Sequence, residues 1–432
     1  MRQSPPQGRG AHVRPERPLG ARPYNGVVST PLALYVHIPF CETKCPYCDF
    51  NTYAAIEPLI PAYVDALALE IGAWGAWLGR PALGSVFFGG GTPSYLPPEH
   101  LARLTEAIGD AFGWTDAIEA TAEANPGDCT PGQLSAMRAA GFDRLSIGVQ
   151  SFDDAELRLL GRRHSADDAR AAVRGARAAG FANLSIDLML GLPAQPLDSW
   201  ARSIDEAAAL DVDHVSVYAL TLEGGTPMEA DVASGALPEP DADVAADMYL
   251  LAQERLTAAG FEQYEISNWA KPGRASRHNL AYWEGRPYLG VGPGAHSHLL
   301  GNKLGPHGVR FANLRSPRTY IERVSAWEPA GAVTASALAS AGAVDTADAL
   351  SEATAAGETM MMGLRLNEGV SDAAFRERFG AGIAERFPGP VAECVGLGLL
   401  EWHGGRLRLT EPGRLLGNEA FGRFVAAAAA GP

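Results

Sequence analysis

Tyr35-Val36-His37-Ile38-Pro39-Phe40-Cys41-Glu42-Thr43-Lys44-Cys45-Pro46-Tyr47-Cys48 decides how this sequence is read. The apolar run Leu34 to Ile38 has strand length and Pro39 ends it, so the cysteines leave the carboxyl end of a strand. In α/β folds that end is where ligands bind. Gaps of three and then two residues let one loop turn all three sulfurs the same way. Three thiolates cover three irons of a cubane cluster and leave the fourth iron without a protein ligand. Zinc is the competing occupant, but a structural zinc site is closed by four protein ligands. His37 sits inside the strand, in alternation with Tyr35, and makes a poor fourth ligand. A redox disulfide uses only two of the thiols and leaves the third unexplained.

Outward from this loop, short apolar runs recur at Val86 to Phe88, Ile118 to Ala122, Leu145 to Val149, Leu184 to Leu190 and Val215 to Leu220. Helical patterns separate them, which predicts a parallel sheet. Tyr63, Leu67, Ile71, Trp74 and Leu78 form an apolar stripe that must face that sheet. Thr130-Pro131-Gly132-Gln133 spells a capping box, and Ser165 can cap the next helix. Ala-Ala-Gly-Phe closes helices at 139–142, 178–181 and 258–261, with Gly as the left-handed stop. Such βα repeats fit an open doubly wound sheet or a barrel equally well.

Further on, a helix is expected at 241–259, a strand at Phe261 to Ile266 and a glycine-rich stretch at 285–294. The predicted organisation is an unstructured Arg/Pro-rich extension (1–31), an α/β unit with its extension (32–300), a connecting segment (301–345) and a C-terminal unit (346–432). Small residues at 329–345 read as a linker. In the last unit, helical patterns near 346–365, 371–379 and 388–397 precede a hairpin, Leu399 to Leu409, turning at His403-Gly404-Gly405. That order predicts a small winged-helix-like domain.

Composition narrows the function. A formal net charge of −15 argues against a general nucleic-acid binder, and no run of eighteen apolar residues suggests a membrane span. Arginines bias the first thirty residues toward a transit peptide, but Pro5, Pro6, Pro15, Pro18 and Pro23 would break its helix. Three of five cysteines crowded into one loop fit a reducing compartment and a metal site. Cys129 and Cys394 stand in unrelated contexts and receive no role.

An open iron corner can chelate the amino and carboxylate groups of S-adenosylmethionine (SAM). Cluster potentials span about −700 to +450 mV, and the low end can reduce the SAM sulfonium. At this point Tyr-Val-His-Ile-Pro-Phe-Cys-x3-Cys-x2-Cys resembles the radical SAM proteins that include oxygen-independent coproporphyrinogen III oxidases and HemW haem chaperones. The likeness covers about residues 32–300 and implies a partial (β/α)6 barrel holding a 4Fe-4S cluster on Cys41, Cys45 and Cys48. It implies that Gly90, Gly91 and Thr92 of Gly89-Gly90-Gly91-Thr92-Pro93 meet the amino-acid end of SAM, where glycine lets backbone amides come close. Glu123 in Glu-Ala-Asn-Pro, Gln150 in Val-Gln-Ser-Phe and Arg162 in Gly-Arg-Arg-His also match SAM contacts. For Arg162 a carboxylate partner is implied, although Arg163 stands beside it. Asp187, inside an apolar strand, matches a position near adenosine; Ala219 matches a wall position, and Tyr35 and Tyr47 match further SAM contacts.

Two departures separate this chain from the oxidases within the resemblance. The oxidases carry a fourth cysteine two residues after the third, where Phe50 stands here, and an ordered segment ahead of the first strand, where the proline-broken extension lies. A third feature points to the chaperones: His278-Asn279-Leu280-Ala281-Tyr282-Trp283 matches their haem-associated motif, with His278 as the implied ligand and His296 and His298 as unassigned rivals. No catalytic residue is assigned. The expectation is a cytoplasmic haem chaperone with a 4Fe-4S cluster and SAM, an electron donor for the cluster and a haem-accepting partner such as a respiratory enzyme. The alternative is an oxygen-independent coproporphyrinogen III oxidase.

Overall fold

Six strands, β1 (Leu32–Ile38), β2 (Leu83–Gly90), β3 (Glu119–Ala124), β4 (Arg144–Gln150), β5 (Asn183–Leu190) and β6 (His214–Ala219), run parallel in sequence order. They belong to a computed structural model that describes residues 31–430 apart from 116, 302, 303, 330 and 332. The Arg/Pro-rich extension lies outside the described residues, Pro31 excepted. Alternation along the strands sorts the side chains. Val36, Val86, Ala122, Ile147, Ile186 and Val215 point outward into a continuous core with the helices. Ser85, Glu119, Thr121, Arg144, Ser146, Ser185, Asp187, His214 and Ser216 occupy the other parity, so the inner face is polar. The register sets Glu119 beside Ser85, Thr121 beside Arg144 and Asp187 beside Ser216. A polar interior needs a closed-over, hydrogen-bonded lining, which a curved sheet supplies and a flat doubly wound sheet does not.

The curl is incomplete. Beyond β6 come β8 (Asn268–Ala270) and β7 (Glu262–Glu265); beyond β1 come β9 (Tyr288–Val291), β10 (His296–Leu299), β11 (Val309–Asn313) and β12 (Val344–Ala349). β9 pairs parallel with β1, and β10, β11 and β12 continue antiparallel. This is the partial six-stranded barrel that the resemblance implied, widened by a lateral extension.

Local signals behave unevenly. Gly141, Gly180 and Gly260 all take positive φ, and Phe142, Phe181 and Phe261 after them are buried. Ser165 makes a full capping box with Asp168. Thr130 caps Gln133 N, but the Gln133 amide donates to Ser94 O and Leu96 O instead of returning to the cap. The Ile60–Leu78 helix, with the short turn before it, is long and apolar enough by composition to cross a membrane. Its stripe is nonetheless spent inside the protein: Tyr63, Leu67, Ile71 and Trp74 are fully buried. Each such side chain contributes roughly 1.5–3 kcal/mol by leaving water.

A strand replaces the start of the helix expected at 346–365. Residues 344–349 form β12 on the edge of the large sheet, and the helix expected from 346 starts at Glu352 behind a Ser351 cap. From there the C-terminal unit has its own core around Met360, Phe375, Phe387, Leu407 and Phe424. Strand β13 (Val370–Ser371), helices Asp372–Phe379 and Pro388–Gly396, and strands β14 (Leu400–His403) and β15 (Arg406–Leu409) follow in chain order, and the three strands form a small sheet. Gly404 and Gly405 both take positive φ, as a two-residue hairpin turn requires. The unit docks on the barrel through bidentate Arg310–Glu358 and through Arg365, which stands 4.5 Å over the Trp283 ring and pairs with Glu265 at 3.6 Å.

Candidate functional site

The cysteine loop is fixed by backbone on both feet. Cys41 N donates to Tyr53 O (3.0 Å), Tyr53 N to Pro39 O (2.8 Å) and Cys48 N to Cys45 O (3.1 Å). His37 Nε2 meets Asn51 O at 3.0 Å, and the Asn51 amide donates to Pro293 O and Arg315 O, each at 3.0 Å. All three thiols are free and partly exposed. Each has a polar neighbour: Thr92 Oγ1 donates to Cys41 Sγ (3.5 Å), Arg162 Nη1 donates to Cys45 Sγ (3.6 Å), and Thr52 Oγ1 lies 3.9 Å from Cys48 Sγ. Burial pushes the Cys41 and Cys48 thiols up, so metal capture has to release protons. Among the described residues no three His, Cys, Asp or Glu side chains stand as ligands of one metal ion. A cubane asks for a different arrangement, one thiolate per iron, and three soft sulfurs in one fixed loop with donors aimed at them fit that group.

Beside the loop, the glycine motif is forced by close approach. Gly91 N donates to Ile38 O (2.7 Å) and Thr92 N to Phe40 O (2.9 Å), and a Cβ on Gly91 would stand 2.6 Å from both carbonyl oxygens. Gly90 has φ 105°, and a Cβ there would meet the His37 ring at 2.4 Å. These glycines therefore lock β2 onto the cysteine loop whatever else they touch. Gly90 N donates to Glu123 Oε2 at 3.1 Å. Below, Ser146 Oγ donates to Asp187 Oδ1 at 3.3 Å, and buried Arg144 places its charge among Glu119, Glu123 and Asp187.

Burial first, then Asp187, pushes the Glu123 carboxyl up to about 8 from an ordinary 4.5. The folded state then holds a proton that the unfolded state lacks between those two values. Stability from this group is fully present below pH 4.5 and falls as pH rises toward 8. The denaturation midpoint of the metal-free protein should accordingly drop between pH 5.5 and pH 8, and Glu123→Gln should flatten that slope. An unchanged slope in the variant would remove Glu123 as its source.

The other expected residues cluster on the opposite side of the mouth. Gln150 ends β4 with φ 68°, an unusual backbone for a non-glycine residue and a frequent mark of functional sites. Arg162 Nη2 donates to Gly148 O at 2.8 Å, while its buried Nε has no partner. Arg163 instead turns away to ion pairs with Glu42 and, at 2.9 Å, Asp128. Geometry thus separates the neighbouring arginines. Tyr47 packs on a small apolar cluster of Leu160, Met189, Leu192 and Met228, whereas Tyr35 lies inside the barrel beside His37 and Phe87. Ala219 is exposed at the end of β6. Of the expected SAM residues, Tyr35, Gly90 and Glu123 share one cleft, and Tyr47, Gln150, Arg162, Asp187 and Ala219 lie outside its lining.

A cleft of about 630 Å³ opens between the cysteine loop and the β9–β11 extension. Tyr35, Gly90 and Glu123 reach its floor; Phe50, His296 and Arg315 stand exposed on its rim. His278 is not on it. The Arg277–Trp283 helix plugs the amino-terminal end of the barrel, its first amides capped by Glu119 Oε1 at 2.8 and 3.4 Å. There His278 is 2% exposed, with Nδ1 2.9 Å from Ser85 Oγ, Nε2 3.1 Å from Tyr282 OH, and its ring stacked on Phe87. Burial pulls it down to about 3. This is the geometry of a buried histidine hydrogen-bonded at both ring nitrogens. Tyr282 does line the cleft, but Trp283 faces Arg365 at the junction with the C-terminal unit. The composition of the barrel floor, Glu119 with Arg144, was missed from sequence. Its only signal is a pair of charges at inward parity where the strands begin.

Residues 35–207 match the radical SAM superfamily and residues 350–416 the HemN C-terminal domain. The chain is 41% identical to the haem chaperone HemW of Mycobacterium tuberculosis H37Rv, covering 89% of this chain and 93% of that one. Against HemW of Bacillus subtilis 168 the identity is 37%, over 90% and 98%. Among solved structures, the coproporphyrinogen III oxidase HemN from Escherichia coli, a radical SAM enzyme, superposes with a TM-score of 0.76 at 25% identity, covering 91% of this chain and 90% of that one.

Proposed function

The chain belongs to the HemW family of radical SAM proteins, and on that premise we propose that it takes up haem and delivers it to a haem-requiring protein. Likeness to the curated haem chaperones along nearly their whole length carries this reading. Phe50, standing where the oxidases have a fourth cysteine, supports it. As a radical SAM protein the chain uses a 4Fe-4S cluster and SAM.

In this proposal Cys41, Cys45 and Cys48 would hold the cluster, one iron each, and leave its fourth corner open to SAM. When bound, the cluster supplies the electron that cleaves the SAM sulfonium. Thr92 and Arg162 donate toward the thiolates and stabilise their charge. Gly90, Gly91, Gln150 and Asp187 wall the SAM side of the mouth, with Tyr47 and Ala219 at its edge. His278 serves as a positioning residue that holds Tyr282 in place. An electron donor for the cluster, a haem acceptor such as a respiratory enzyme and a cytoplasmic site of action complete the reading.

The test sets carriage against catalysis in one preparation. After anaerobic cluster reconstitution, haem titration should produce a saturable Soret band, and SAM with reductant should leave coproporphyrinogen III unconverted. Sustained conversion to protoporphyrinogen would overturn the proposal in favour of an oxidase.

A further inference from the structure

We infer that Arg144, at the start of β4, is a positioning residue for SAM binding, its guanidinium serving as the counter-charge of the Glu123 and Asp187 side chains. This rests on the SAM-binding part of the reading above and adds a residue to it.

Strand parity brings the three together. β3 turns Glu119, Thr121 and Glu123 inward, β4 turns Arg144 and Ser146, and β5 turns Ser185 and Asp187. In register Thr121 stands beside Arg144 and Glu123 beside Ser146, so the cation lies one inward layer below Glu123. Ser146 Oγ donates to Asp187 Oδ1 and Oδ2 at 3.3 and 3.5 Å. It thereby stands between the two carboxyls and directly after the cation on its own strand.

Arg144 is held in an unusual way for a buried charge. It is 2% exposed, yet its side chain makes no hydrogen bond or ion pair among the described residues. Its Nε and the neighbouring Thr121 Oγ1 are both buried without partners. Elsewhere this chain forks arginines onto carboxylates, as Arg170 does with Glu206 and Arg310 with Glu358. The acid best placed for such a fork, Glu119, instead spends Oε1 on the first amides of the Arg277–Trp283 helix. A buried cation kept out of direct pairing is costly to the fold, and its field reaches several carboxyls at once.

That field has a consequence for SAM. Burial raises Glu119, Glu123 and Asp187, and the Arg144 charge opposes the rise at each. An ionised carboxylate accepts charge-assisted hydrogen bonds from ribose hydroxyls and attracts the sulfonium, whereas a protonated one does neither as well. Tyr35 and His37 face the same interior from β1, His214 and Tyr218 from β6, and Tyr264 from β7. His278 and Tyr282 face it from the helix below, and the Arg162 charge adds to that of Arg144 at Asp187. Burial pulls the three histidines down and pushes the four tyrosines up, so none of these changes charge between pH 7 and 9.

The test is SAM affinity of the reconstituted full chain, measured by equilibrium dialysis at pH 7 and pH 9 for the parent, Arg144→Met, Arg144→Lys and Glu123→Gln. The SAM amino group also titrates, but equally for every protein, so the ratio of variant to parent isolates the protein's share. Moving the carboxyl up by one further unit should make Arg144→Met bind about tenfold more weakly at pH 7 and within about twofold of the parent at pH 9. Arg144→Lys keeps a cation and should stay within about threefold at both values. Placed in the Glu123→Gln background, Arg144→Met should cost under about threefold at pH 7. A loss in folded Arg144→Met that is equal at pH 7 and pH 9 marks a merely structural residue and overturns the inference. Should that variant fail to fold, Arg144→Lys decides, and a tenfold loss there that does not narrow with pH overturns it equally. Failure of the parent itself to bind SAM overturns the SAM-site reading, and the role of Arg144 with it.

Discussion

Serine at any one of Cys41, Cys45 or Cys48 is expected to abolish the 4Fe-4S charge-transfer absorbance after reconstitution and to reduce iron below the parent's content. SAM binding should fall with it, since the open corner exists only when the other three irons are held. The physical reason is that thiolate softness is what the irons select, and a hydroxyl at the same place offers a hard, protonated donor. The loop itself should survive. Its shape rests on backbone bonds from Cys41 N to Tyr53 O, from Tyr53 N to Pro39 O and from Cys48 N to Cys45 O, none of which uses sulfur. The metal-free variants should therefore unfold within about 0.5 kcal/mol of the metal-free parent, as partly exposed substitutions do. Retention of a full-strength cluster in one variant would remove that cysteine from the ligand set. Cys129→Ser is the contrasting control, because that thiol only donates to Asn125 O at 3.4 Å.

The cysteines were legible in sequence because their chemistry is local. Spacing alone put them in one loop, and apolar runs of strand length put that loop at a carboxyl end. The parallel core followed from the same periodicity. Curvature did not, because it depends on inward residues such as Thr121, Ser146 and Ser185, which read as ordinary polar interruptions until both faces are known. Strand β12 escaped for the reason edge strands often do: Asp345, Thr346 and Asp348 are exposed, so no apolar alternation marks it. The His278 motif was legible as a motif, and its burial was not. Nothing in His-Asn-Leu-Ala-Tyr-Trp says that Ser85, 193 positions earlier, takes one nitrogen. The anchors that shape the cleft share this property, since Asn51 and Pro293 are 242 positions apart.

Glu70 is the extreme instance, and removing it should have the largest effect on stability. It sits in the apolar stripe of the Ile60–Leu78 helix, between Leu67 and Trp74, and is 1% exposed. A lone acid inside such a stripe costs several kcal/mol unless it is hydrogen-bonded. Here Glu70 accepts from Gly292 N (2.8 Å), from the Asn313 amide (2.8 Å), from the Tyr320 hydroxyl and, at 3.5 Å, from Trp74 Nε1. The first three of those donors belong to the turn after β9, the end of β11 and the Pro317–Ser325 helix, so one carboxyl ties the barrel's first helix to the lateral extension. Glu70→Ala leaves several buried donors without an acceptor, at about 1–3 kcal/mol each, and should destabilise the protein by about 3–5 kcal/mol in urea titrations. Glu70→Gln keeps one acceptor oxygen but turns an amide donor toward the others, and should lose roughly half as much. A stability loss under about 1 kcal/mol would show that the extension holds its shape without this carboxyl.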